Sequence, residues 1–164
     1  MEGKITSFKL NGTSCSVSFN ENITEKNDVT NKSHTIKVAR PASNNLRTIG
    51  RALIAHAIYY LNLDQGKITE KEFKARSITD GLPEFKMFRF VGFSLKGDGE
   101  KEKVVIHMEV YSRGDKASPL SSQPIGLVDG SYAFDEYLQH DVEQMVAEVE
   151  AYIAGENYYS DPEL

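Results

Sequence analysis

The hydrophobic period of this chain switches repeatedly between two and about 3.6, and that alternation restricts the fold more than any other feature. Ile5, Phe8 and Leu10, then Cys15, Val17 and Phe19, alternate on either side of Asn11-Gly12, which predicts a hairpin with Cys15 on its apolar face. Leu46, Ile49, Leu53, Ala57 and Leu61 follow a helical stripe, widened by Ile54 and Ile58, behind the N-capping run Ser43-Asn44-Asn45. Period two returns in Met87–Leu95 and, after Gly97-Asp98-Gly99, in Val104–Tyr111. A second helical stripe runs through Phe134, Leu138, Val142, Met145, Val149 and Ile153, with Gly155 as its stop.

A third strand is expected near His34–Ala39, ended by Pro41, while residues 20–33 read as an exposed polar loop. Residues 65–84 and 112–131 read as connectors. The order βββαββα implies an α+β fold, a mostly antiparallel sheet of about five strands with two helices packed on one face. Gly50 weakens its helix by about 1 kcal/mol relative to Ala, which points to a close approach by another backbone.

A length of 164 residues, 40% hydrophobic, fits one domain over residues 1–164 with an acidic tail at 156–164. The core needs no metal or cofactor to hold it. With Cys15 as the single cysteine, no disulfide forms within the chain. No apolar run resembles a signal or a membrane span, so a cytoplasmic location and no membrane partner are expected.

Charge is unevenly distributed. Residues 29–63 hold Lys32, Lys37, Arg40, Arg47 and Arg51 with no acid, whereas residues 117–164 hold ten acids and no Lys or Arg. These segments contribute +5 and -10, which accounts for the net charge of -5 because the remaining charges cancel. Such asymmetry suggests an anionic ligand at one surface and a cationic or repelled partner at another.

Catalytic signatures are missing. Gly97-Asp98-Gly99-Glu100 places acids where a phosphate loop needs Lys and Ser/Thr. His107-x-Glu109 matches half of a zinc deaminase site, but that site also requires a cysteine pair, so a cross-strand polar pair is the better reading. Cys15 alternates with core positions and lacks an activating motif, and there is no serine nucleophile elbow. The expectation is a non-enzymatic protein.

The basic segment combines charge with geometry. Lys37 and Arg40 end a strand, Ser43, Asn44 and Asn45 begin a helix, and Arg47 and Arg51 lie four apart on one side of it. These seven residues outline an anion site in which guanidinium forks and helix-start N–H groups meet phosphate or carboxylate oxygens. The competing account leaves Arg47 and Arg51 solvated, or paired with Glu143 or Glu150 of the last helix. The acidic final third has two readings, a stripe imitating nucleic-acid phosphates that blocks a DNA-binding host protein, or an ordinary solvated surface. Direct nucleic-acid binding is the lesser possibility, and it must use residues 29–63 or the Lys86/Arg89/Lys96/Lys101/Lys103 hairpin. Tyr59-Tyr60 and Tyr158-Tyr159 are candidates for base stacking, with at least one of each pair assigned to core or capping.

Ile5-Thr6-Ser7-Phe8, Phe19-Asn20-Glu21, Val91-Gly92-Phe93-Ser94 and the segment Val142–Glu156 resemble small accessory proteins encoded by tailed bacteriophages and prophages. The resemblance implies expression in an infected bacterium and carries no catalytic residue with it. Two functions are then expected. One is binding of a phosphorylated nucleotide, such as a host-defence signal, by a homo-oligomer that sequesters it. The other is interaction with a host protein, as an acidic inhibitor of a defence enzyme or an accessory to phage DNA replication or recombination.

Overall fold

A computed structural model of the chain describes residues 4–11, 14–26, 28–39, 41–61, 69, 71, 87–97, 99–111 and 116–155. The chain is α+β. Strands β1 (Lys4–Asn11), β2 (Ser14–Glu25), β3 (Asp28–Val38), β4 (Phe88–Lys96), β5 (Lys103–Tyr111) and β6 (Ala117–Ser121) form an antiparallel sheet in the order β3-β2-β1-β4-β5-β6. A two-residue strand, β7 (Ile125–Gly126), pairs with β5 beside β6. The helices are α1 (Asn44–Tyr60) and α2 (Asp135–Ala154).

The first hairpin closes where the Asn-Gly signal lies, with Asn11 opposite Ser14. Within the polar run 20–33, residues 20–25 and 28–33 are strand rather than loop, because β2 and β3 continue as a ribbon up to the pair Glu25 and Asp28. Cross-strand partners explain this. Ser18 Oγ lies 2.9 Å from Thr35 Oγ1, Ser33 donates to Asn20 Oδ1 at 2.9 Å, and His34 stacks on Phe19 while meeting Glu21 Oε2 at 3.1 Å. As the sheet's edge, β3 needs no second partner, and its exposed Lys32 and Lys37 discourage further strand pairing.

The stretch 112–131 also differs from its reading as a connector, since it supplies β6 and β7. Pro119 is tolerated because β6 is an outer strand. Ser122 then fastens the following turn to β5, its hydroxyl accepting from Ile106 N at 2.9 Å and its own N–H donating to Ile106 O at 2.9 Å. The connector 65–84 lies outside the described residues except for Thr69 and Lys71.

Alternation turns Phe8, Val17, Phe93, Ile106 and Met108 toward the helices, where they meet Leu53 and Ile58 of α1 and Leu138, Met145 and Val149 of α2 in one core. Burial of each such side chain contributes about 1.5–3 kcal/mol. Ser43 caps α1 by accepting from Leu46 N at 3.3 Å, and Gly155 ends α2 in the left-handed region at φ 78°. No described helix is long and apolar enough to cross a membrane.

Gly50 faces a side chain, not a backbone. A Cβ there would stand 2.6 Å from Phe90 Cδ2 and 2.8 Å from its Cγ, close to the ring's attachment point, where a rotation brings little relief. Gly50→Ala gains about 1 kcal/mol of helix propensity, but overpacking costs about 1–3 kcal/mol. The variant should unfold at a lower urea concentration than the parent; an increased midpoint contradicts this packing.

Candidate functional site

Where α1 crosses the ends of β1 and β4, the surface opens into a cavity of about 340 Å3 lined by Leu10, Arg47, Arg51, Ile54, Phe88, Arg89 and Phe90. Helical spacing produces one side of it. Arg47, Arg51 and Ile54 stand at i, i+4 and i+7, with the two arginines exposed and Ile54 buried. Strand alternation produces the other. Phe88 and Phe90 turn inward from β4, whereas Arg89 between them sends its guanidinium to Tyr111 Oη at 3.3 Å on the opposite face. Arg89 therefore borders the cavity without supplying its charge, and that hydrogen bond raises its pKa further.

Electrostatically, α1 is poorly matched to itself. Its first turn contains no acid, Arg47 stands near the positive end of the helix dipole, and Arg51 is a like charge one turn on. Each arrangement costs a few tenths of a kcal/mol in an isolated helix. Arg47 makes no ion pair within 4.0 Å among the described residues. The helix is thus built with a positive stripe over an apolar floor.

The structure brings together only part of the sequence-derived set. Arg47 and Arg51 share the cavity, but Lys37 lies between inward-facing Ile36 and Val38 and points to the other side of the sheet. Ser43 is buried and committed to its cap, Asn44 O accepts from Thr48 Oγ1 at 2.9 Å, and Asn45 is exposed; none of these three lines the cavity. Arg40 and the acidic tail 156–164, with Tyr158 and Tyr159, lie outside the described residues. The aromatic partners Phe88 and Phe90 were not foreseen, because no local pattern says which helix covers them.

A second polar group, also unforeseen, is sealed in the interface of α1 and α2. His56 Nδ1 lies 2.8 Å from Tyr132 Oη and Nε2 lies 2.7 Å from Asp141 Oδ2, with exposures of 0%, 3% and 6% for His56, Tyr132 and Asp141. An ionised Asp141 only accepts, so it places a proton on Nε2. The signal in the sequence is one polar residue on each apolar stripe, His56 after Leu53 and Asp141 after Leu138. The rings of Tyr59, Tyr60 and Phe134 lie 5.7 to 6.4 Å from that of Tyr132, so the half-buried Tyr59 and Tyr60 pack against the core. The polar group's burial suits a structural cross-link.

The remaining candidates are also engaged. Cys15 is buried in the core and burial raises its thiol pKa, with a Tyr152 hydrogen bond and Arg47 acting in the opposite direction. His107 lies between two serines, and Glu109 accepts from Tyr111 Oη at 3.4 Å, as cross-strand polar neighbours do. On α2, Glu136, Glu143 and Glu150 are exposed at seven-residue spacing. No protein-family model matches the chain, and no curated protein or solved structure matches it either.

Proposed function

We propose that this chain binds, without chemical conversion, a small anion that carries a flat apolar group, and that a phosphorylated nucleotide is the ligand class that fits best. The supporting observation is the pairing of Arg47 and Arg51 with the floor of Leu10, Ile54, Phe88 and Phe90 in one cavity. Guanidinium forks complement phosphate oxygens, and an apolar, partly aromatic floor accepts a base. The volume of about 340 Å3 is close to the lower end of the roughly 300–1,000 Å3 range of ligand sites. Sequestration of a nucleotide signal of host defence by a phage accessory protein in the bacterial cytoplasm is the role consistent with such a site. Calorimetry with mononucleotides, cyclic nucleotides, the free nucleosides and inorganic phosphate tests the two-part recognition. A nucleotide should bind more tightly than either inorganic phosphate or its nucleoside, and absence of binding by every nucleotide removes the proposal.

A further inference from the structure

The sheet face turned away from both helices carries lateral lines of small polar and cationic side chains. Cα pairing places Lys37, Ser16, Lys9, Gly92, His107 and Ser121 in one line from β3 to β6. The neighbouring line joins Thr35, Ser18, Ser7, Ser94 and Val105. At about 4.8 Å per strand, the longer line spans about 24 Å. Neither line includes a carboxylate, and Lys96, two residues beyond Ser94, stands on the same face. Lys9, Lys37 and Lys96 are exposed, and none makes an ion pair within 4.0 Å among the described residues.

His107 senses the resulting field. Ser94 Oγ lies 2.9 Å from its Nε2 and Ser121 Oγ 2.7 Å from its Nδ1, which fixes the ring in the line. Burial lowers the His107 pKa, and the positive charges of Lys9 on β1 and Lys96 on β4 lower it further. Lysines from two different strands therefore act together at His107 on this face.

We propose that this face binds the sugar–phosphate backbone of single-stranded nucleic acid, laid along these lines and separate from the Arg47 cavity. Ammonium and hydroxyl donors are the groups that hold phosphates in register without reading bases. Short Ser and Thr side chains leave these two lines flat rather than projecting, which favours a single strand over a duplex groove. The two lines contain no Phe, Tyr or Trp for base stacking, and the His107 ring is held between two serines, so the contact is independent of sequence and sensitive to salt. A second copy of the chain is a poor occupant, because like charges would face each other over a polar surface.

Fluorescence anisotropy of a labelled oligothymidine, titrated with the full chain over a series of potassium chloride concentrations, tests the proposal. Three lysine contacts predict a slope of log K against log salt of about −2, or a loss of about 20-fold between about 50 and about 200 mM. The variant Lys9→Gln/Lys37→Gln/Lys96→Gln should lose both the slope and the binding while keeping its unfolding midpoint. Arg47→Ala/Arg51→Ala should retain both, which separates this face from the nucleotide cavity. Absence of binding at low salt, a salt-independent signal, unchanged binding by the lysine variant, or tighter binding to a duplex of equal length would each overturn the proposal.

Discussion

Asp141→Ala is expected to reduce the unfolding free energy by about 3–5 kcal/mol, the largest loss anticipated from one side chain outside the apolar core. The carboxylate accepts from His56 Nε2 at 2.7 Å in an interface where His56 has no solvent exposure, so its removal leaves a buried ring nitrogen without this partner. His56→Ala should cost a similar amount, because Asp141 and the Tyr132 hydroxyl both lose their bond to the ring. Tyr132→Phe removes one hydrogen bond and should cost only about 1–3 kcal/mol. Because the two partners act as a unit, His56→Leu/Asp141→Leu should be less damaging than either alanine variant, since an apolar pair avoids the desolvation cost altogether. Urea unfolding of the four variants checks this order. Losses below about 1 kcal/mol for both alanine variants would show that the group is solvated and not a cross-link.

The second large effect concerns binding. Charge-assisted hydrogen bonds contribute about 1.5–3 kcal/mol each, so Arg47→Ala/Arg51→Ala should weaken nucleotide binding by about 100-fold to 10,000-fold. Arg47→Lys should be intermediate, because it keeps the charge but loses the planar fork. The apo protein should respond differently. Arg47 stands near the positive end of the α1 dipole and four residues from a like charge, so Arg47→Ala should leave thermal stability unchanged or slightly increased. Weaker binding together with undiminished stability is the pattern of a residue held for a ligand. A destabilised Arg47→Ala protein with intact binding would assign this arginine to the fold.

Local patterns in the chain carried much of this architecture. Both helices and the first hairpin follow from apolar spacing, the Ser43 cap, the Asn-Gly signal and Gly155, all of which act within a few residues. The ribbon of β2 and β3 did not, since Asn20, Ser33 and Thr35 are strand residues only by virtue of partners on the facing strand. Nor did β6, whose Pro119 reads as a loop until its edge position is known. The site shows the same division. Arg47 and Arg51 were recognisable as a pair through helical spacing, whereas Phe88 and Phe90 join them only through the packing of α1 across β4. Lys37 had a readable signal that charge counting overrode: its place between Ile36 and Val38 directs it to the other face. The His56 and Asp141 contact spans 85 residues of sequence, beyond the reach of any local pattern.

The most direct measurement is a crystal structure of the protein with a bromine-labelled nucleotide, located by anomalous scattering. The phosphate should lie about 2.7–2.9 Å from guanidinium nitrogens of Arg47 and Arg51, with the base against Phe88 and Phe90. Bromine located away from α1 and β4, or arginines turned from the phosphate, would contradict the account.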